Sequence, residues 1–330
     1  MTIEKRAVSA GDDGLRIDRW LRKHYPALPH GLVQKLVRTG QVRVDGGRVK
    51  ADMRVAAGQE VRLPAHFSTP SPEMRPSLKP PPGLSKADRD LIERMILHED
   101  DYIVVLNKPF GIAVQGGTKT SRHIDGLLSG MADRFGGERP RLVHRLDRDT
   151  SGVLLVAKDR DTAARLGRMF QTRSVQKIYW ALVRGIPKPA QGKVEAALVK
   201  AAGPDGDRVR KALPGEQALA QHATTHYAVI DRASTKVAWV SLKPVTGRQH
   251  QLRAHMDILG TPILGDVKYG ASGEMPVDGM ADKLHLHARR LTFKDAKLGT
   301  VDISAPLPEH MMQSFDLLGF DANRYGQSDF

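Results

Sequence analysis

Apolar residues recur with a helical period in some stretches of this chain and run together or alternate, as in strands, in others. Near the N-terminus Leu15, Ile17, Trp20 and Leu21 predict a short amphipathic helix that stops before Pro26. Leu32, Val33, Leu36 and Val37 predict a second helix, closed by Gly40. Val42-Arg43-Val44 and Val49 then flank Asp45-Gly46-Gly47, a hairpin-type turn, and Glu60-Val61-Arg62-Leu63 reads as a further short strand. Periodicity disappears over residues 66–86, where Pro70, Pro72, Pro76, Pro80, Pro81 and Pro82 predict an extended, semi-rigid linker. Past it, Ser85 and Asp88 give a capping signal for a helix carrying Leu91, Ile92, Met95 and Ile96. Strands are predicted over 102–106, 153–157, 178–183, 236–242 and 285–293, and helices over 161–173 and 249–259. Strands and helices interleave without a regular β-α-β rhythm. The expected class is therefore α+β, with a mixed, mainly antiparallel sheet in a large domain (87–330) and a small αβ domain at 1–65.

Composition narrows the partner. A formal net charge of +14 points to a polyanion, either nucleic acid or an acidic membrane surface. The N-terminus has no apolar segment of the signal-peptide kind, and no apolar run approaches the roughly 20 residues of a membrane span. Nucleic acid is thus the favoured partner, with no membrane. The absence of cysteine excludes disulfides, thiolate metal sites and cysteine nucleophiles, and it suits a cytoplasmic protein. Residues 1–65 hold 13 Lys and Arg against 7 Asp and Glu. Arg16, Arg19, Lys23, Lys35, Arg38 and Arg43 would decorate the outside of the two predicted helices and the first strand, a compact face suited to phosphates. A merely solvated charged face is the alternative.

Candidate chemistry concentrates in Arg141-Leu142-Val143-His144-Arg145-Leu146-Asp147-Arg148-Asp149-Thr150-Ser151-Gly152, which runs directly into the apolar stretch 153–157. A carboxylate in a polar turn ahead of a buried strand is the layout of a site. Arg145 and Arg148 flank Asp147 and would hold it ionised, so that it can act as a nucleophile; the alternative is a structural ion pair at a strand end. In Gln176-Lys177-Ile178-Tyr179, Lys177 and Tyr179 point to one face of a strand, as a functional pair or as a core tyrosine beside a snorkelling lysine. Pro244-Val245-Thr246-Gly247-Arg248-Gln249-His250-Gln251-Leu252-Arg253-Ala254-His255 reads as a loop entering a helix, with Arg248, Leu252 and His255 on one face and a cationic N-terminus fit for anions. A glycine-punctuated turn, residues 260–270, follows as a buttress.

These segments resemble a known family. Residues 14–63 resemble the small RNA-binding module first recognised in a small-subunit ribosomal protein, the S-four type. His144-Arg145-Leu146-Asp147-x-x-Thr150-Ser151-Gly152, the run from Gly247 to His255, the tail from Gly260 to Gly270 and Asn107-Lys108-Pro109-x-Gly111 together resemble the RluA-type pseudouridine synthases, over residues 90–300. The pairing with a basic N-terminal module is most similar to the enzymes that modify large-subunit ribosomal RNA. The resemblance implies conversion of specific uridines to pseudouridine, with no cofactor and no metal. It casts Asp147 as nucleophile toward a flipped-out uridine, Tyr179 as the ring that stacks on the base, and Arg253 as the partner of Asp147. Arg145 would fill the gap left by the flipped nucleotide or hold a phosphate, and Leu252 would line the base pocket. His144, Lys177 and Arg248 are further substrate-binding candidates. A monomer would suffice. Two positions depart from the family pattern: Gln115, where histidine is common, and Lys294-Asp295, where many members carry His-Pro after the phenylalanine.

Other classes fit less well. His285 and His287 would share a strand face, but His250 and His255 are five apart, wrong for two metal ligands on one helix face, and no glutamate sits between them as in a zincin. No Gly-x-Gly-x-x-Gly or Gly-Lys-Ser/Thr loop is present. A non-catalytic ribosome-assembly factor would be expected to lack one of Asp147, Tyr179 and Arg253. A nucleoside hydrolase would require a second carboxylate beside Asp147, for which Asp149 is the candidate.

Overall fold

The structure, a computed structural model, describes residues 3–26, 28, 30–64, 84–116, 122–201, 208–270 and 275–325, and its contacts divide the chain into two compact units, Met1–Pro82 and Gly83–Phe330. In the first unit, strand β1 (Ile3–Ala7) precedes helices α1 (Ile17–His24) and α2 (His30–Arg38), then strands β2 (Arg43–Val44), β3 (Gly47–Arg48) and β4 (Glu60–Pro64). The sheet runs β1-β4-β2-β3, and Trp20, Leu21, Val33, Leu36, Val61 and Leu63 form its core with the helices. The hairpin turn is a two-residue one: Asp45 and Gly46 both take positive φ, 48° and 78°, which matches the twist of the short strands it joins. The sequence pattern does not predict β1, which pairs antiparallel with β4.

The six basic residues proposed for this unit differ in their surroundings. Arg16 is taken up by Asp18, and Lys23 by the buried Asp12, which His24 also contacts. Arg43 donates to the carbonyls of Gly40 and Gly46. Arg19, Lys35 and Arg38 are exposed and, among the described residues, have no acidic partner.

Most of the proposed linker lies outside the described residues. Its last residue, Lys86, already belongs to helix α3 (Lys86–Met95), whose N-cap Ser85 accepts a 3.1 Å bond from the Asp88 amide. The second unit continues with β5 (Ile96–Glu99), β6 (Ile103–Lys108), α4 (Ile124–Ser129), β7 (Arg141–Leu142), β8 (Ser151–Ala157), α5 (Arg160–Gln171), β9 (Gln176–Arg184), β10 (Gln191–Ala201), β11 (Arg208–Lys211), β12 (Gln221–Ala233), β13 (Val237–Pro244), α6 (Gln251–Ile258), β14 (Leu286–Asp295), β15 (Gly299–Ser304) and α7 (Glu309–Leu318). Its eleven strands form one sheet in the order β11-β10-β12-β13-β9-β14-β8-β6-β5, with β15 on β14 and β7 on β8. Every pairing is antiparallel except β14 with β8, so the class is α+β with a mixed, mainly antiparallel sheet.

β8 is buried along its whole length, which its uninterrupted apolar run requires. Its Gly152 has a φ of 111° and lies so close to the backbone of Ala288 that any Cβ would collide with it. That close approach joins β8 to β14 at the point where the polar loop 143–150 enters the sheet. Among the described residues, no helix is long and apolar enough to cross a membrane.

Candidate active site

Loop 143–150 connects β7 to β8, and Leu146 and Thr150 anchor it in the interior. A buried lysine fastens it from below. Lys108, at the end of β6, is fully buried and spends its ammonium on the carbonyls of Pro109 (2.8 Å), Ile112 (2.8 Å) and Arg148 (2.9 Å). Burial lowers its pKa to about 7, with Asp149 and Asp147 pulling the other way. Arg148 adds a reciprocal link, since its Nε donates to the Gly111 carbonyl while the Gly111 amide donates to the Arg148 carbonyl.

This anchoring leaves the Asp147 carboxylate facing an open cleft of about 660 Å³. The side chain is 22% exposed, and among the described residues neither of its oxygens has a hydrogen-bond partner. The expectation that Arg145 and Arg148 flank and hold it is not met. Arg145 points to the exposed rim of the cleft, while Arg148 reaches Gly111 and comes within 3.7 Å of Asp149. The near group is instead His250, whose Nε2 lies 3.9 Å from Asp147 Oδ2. Burial lowers the pKa of His250, against the pull of Asp147.

β9 supplies the opposite wall. Lys177 and Tyr179 alternate into the same cleft. Burial, then the Asp147 charge, pushes the Tyr179 phenol well up, so the hydroxyl keeps its proton at neutral pH. Burial lowers Lys177, whose Nζ sits 5.9 Å from the centre of the Phe170 ring. His144 also stacks on Phe170, at 4.7 Å and 16°. His144 Nε2 accepts the Leu155 amide at 2.9 Å, and burial lowers its pKa to about 3, which fixes a neutral ring.

Helix α6 closes the floor with Leu252 and Arg253, both buried. The helix starts at Gln251, later than the sequence pattern predicts, because His250 adopts the left-handed conformation at φ 51°. Arg248 therefore stands in the loop ahead of the helix, not on its face. Its Nε donates to the His222 carbonyl at 3.2 Å. The expected pairing of Arg253 with Asp147 is also corrected. Nε and one Nη of Arg253 form a bidentate pair with Asp266, at 2.7 and 2.6 Å. Burial disfavours the Arg253 charge, but the Asp266 bonds outweigh it, and Asp147 adds attraction from farther off. Asp266 is placed by the turn before it, where Gly265 at φ 70° packs against the Lys283 carbonyl with no room for a Cβ.

The cleft thus joins one carboxylate, an apolar and aromatic wall, and cations from several distant segments. The sequence of the large unit matches the RNA pseudouridylate synthase family over residues 102–257, and the small unit matches the S4 domain over residues 15–61. Over 94% of this chain and 93% of the relative, it is 36% identical to the ribosomal large subunit pseudouridine synthase C of Yersinia pestis. It is 34% identical to the mitochondrial RNA pseudouridine synthase 4 of Arabidopsis thaliana, over 91% of this chain and 78% of that one. The chain belongs to the RNA pseudouridylate synthase family. Among solved structures, the human RNA pseudouridylate synthase domain containing 4 aligns with a TM-score of 0.59 and 32% identity, over 70% of this chain and 95% of that one. The match to this synthase family falls within the second unit and the S4 match within the first.

Four residues in or behind the cleft are not among the site residues expected from the sequence: His250, which lines it, and Lys108, Asp266 and Tyr269, which brace it from the interior. Lys108 has a signal, a lone cation ending an apolar strand just before Pro109. Asp266 follows a glycine in a turn. His250 and Tyr269 lie inside the runs 247–255 and 260–270 that carry the family resemblance, but nothing in those runs shows that the two side chains meet. The other three histidines weighed as metal ligands each bond within the interior: His255 with Thr225, His285 with Ser314, and His287 with Ser151 and the Ala305 carbonyl.

Proposed function

We propose that this pseudouridine synthase acts on large-subunit ribosomal RNA, with Asp147 as nucleophile toward a uridine turned out of its stack. One observation carries the reading: among the described residues that line the cleft, Asp147 is the only acid. A hydrolase that releases the base to water needs a second carboxylate. Asp149 does not line the cleft, and Asp266 is buried against Arg253.

The isomerisation breaks the bond from uracil N1 to ribose C1′ and forms one from C5 to C1′. N1 gains a proton and C5 loses one, so no electrons leave and no redox partner is required. A carboxylate without hydrogen bonds retains its nucleophilicity. Tyr179 offers a ring to stack on the extruded base, and its proton-bearing hydroxyl can donate to the base or the sugar. Leu252 and Arg253 form the floor, and Lys177 and His144 line the cleft beside Phe170. Arg145 and Arg248, exposed at the rim, are placed to meet phosphates or the gap in the stack. All these residues come from one chain, so a monomer is sufficient. In the first unit we assign phosphate contact chiefly to Arg19, Lys35 and Arg38, because Arg16 and Lys23 already hold acids. The ribosomal substrate is drawn from the named relatives, and the lack of cysteine agrees with a reducing compartment such as the cytoplasm.

The test is release of tritium from large-subunit ribosomal RNA transcribed with [5-³H]uridine, followed by carbodiimide primer extension to map the product. Asp147→Asn keeps the shape and removes the charge. It should abolish release while RNA affinity stays within about threefold. A variant that turns over normally would refute the nucleophile, and a wild type inert on this RNA would refute the substrate.

A further inference from the structure

We propose that His250 is a positioning residue for Asp147, and that Tyr269 sets which of its ring nitrogens carries the proton. The inference rests on Asp147 being the reactive carboxylate. Tyr269 is 1% exposed, and its Oη accepts the Val209 amide of β11 at 2.7 Å. The same Oη lies 3.3 Å from His250 Nδ1, with the two rings edge to face. Tyr269 remains protonated at neutral pH, since burial raises its pKa to about 12. Its hydroxyl has one proton to give, and His250 Nδ1 is the acceptor the structure puts within reach. That bond makes Nδ1 the bare nitrogen and Nε2 the one bearing hydrogen. Nε2 is also the nitrogen that faces Asp147 Oδ2, 3.9 Å away.

The relay therefore runs from the edge strand through Tyr269 and His250 to one oxygen of the carboxylate, and it leaves Oδ1 for the substrate. A closing movement of about 1 Å would turn the contact into a hydrogen bond, as catalytic contacts tighten on substrate binding. Two further features show that the surroundings impose this arrangement. His250 is held at φ 51°, a conformation costly to any residue with a Cβ. Arg253 and Arg208 lie 5.2 and 5.3 Å from the centre of the Tyr269 ring, which fixes the phenol in place.

Long-range ¹H–¹⁵N correlation spectra of histidine-labelled protein, with His250 assigned from its absence in His250→Gln, read the tautomer directly. The expected wild-type signal is Nε2–H, shifting toward Nδ1–H in Tyr269→Phe. An Nδ1–H signal in the wild type overturns the inference, whatever the variants do. In the tritium assay His250→Gln, which keeps a donor near Nε2, should retain kcat within about fivefold. His250→Leu should lose about a hundredfold in kcat with KM for RNA changed less than about threefold. Equal losses in Gln and Leu, or a loss confined to KM, would mean that His250 serves only packing or RNA binding. The two readings fail separately. An active Asp147→Asn removes the nucleophile, whereas an active His250→Leu beside an inactive Asp147→Asn removes only this role of His250.

Discussion

Separating Arg253 from Asp266 should cost the second unit a large part of its stability before any substrate is involved. The two side chains are 6% and 0% exposed. Removing one member leaves the other as an unpaired buried charge, which costs about 3–5 kcal/mol. For a unit of this length, each kcal/mol moves Tm by about 2–4 °C, so Asp266→Leu should lower Tm by about 6–20 °C. Arg253→Met should fall at the lower end, because Asp266 still accepts the Lys268 amide at 3.0 Å. The double variant replaces the pair by apolar groups and leaves neither charge stranded. Its loss should be at least about 2 kcal/mol smaller than the two single losses together. Urea and thermal unfolding of the three proteins supply the cycle. The folded double variant should still be inactive, since it removes the buried cation of the cleft floor. Losses that add to within about 0.5 kcal/mol would refute the pairing.

Other outcomes follow from neighbouring contacts. Lys108→Met keeps the buried stem and strips the Pro109 and Ile112 carbonyls of their donor, while Arg148 keeps the Gly111 amide. It should cost about 2–4 kcal/mol in urea unfolding and lower kcat more than RNA affinity; full activity would show that the clamp does not set Asp147. His144 and His287 are held to about 3 by burial, and His255 and His285 to about 4, against 6.5 for a free histidine. The unfolded chain binds these protons first, so the contribution of these four histidines should be constant above pH 6.5 and fall from there toward pH 4, by about 1.4 kcal/mol per pH unit for each histidine. Unchanged urea midpoints between pH 7 and 5 would contradict this. Replacing Arg19, Lys35 and Arg38 with Gln should flatten the slope of log affinity against log salt by about two to three units; an unaltered slope would mean that these residues do not touch RNA.

The signature loop was legible because charged residues crowd directly against an unbroken apolar run, and Ser151–Ala157 can only be a buried strand. The helices of the small unit were legible from their apolar stripes and from the glycine that stops α2. Strand β12 was not. Its residues are mostly Thr, Ala, His and half-exposed apolar positions, and a register shift between Val229 and Asp231 breaks the period of two. β10 is rich in Ala, Lys and Glu, which favour strands weakly, and it becomes one because β12 and β11 pair with it. In the site, types and segments were readable while partners were not. Arg253 had Asp147 and Asp266 to choose from, and only the turn at Gly265 brings the second within bonding distance. Likewise the adjacency of Arg145 and Arg148 to Asp147 in sequence counts for little, because a turn sends consecutive side chains in different directions.

The placement of charge in the cleft separates two tasks that would otherwise conflict. On the proposed mechanism, a polyanion must be drawn to a site whose nucleophile is a carboxylate. Arg145, Arg173 and Arg248 are exposed at the rim, where a phosphate can reach them and where solvent screens them from the carboxylate. Inside, Arg253 is neutralised by Asp266, Lys177 is weakened as a cation by burial, and His144 and His250 are kept neutral. A strong cation in direct contact with Asp147 would hold it ionised but would also tie up the lone pairs that must attack. On the proposed mechanism, the structure avoids that cost: among the described residues both oxygens are without hydrogen bonds, and the ion-pair neighbour of Oδ2 is a neutral ring nitrogen, not an arginine.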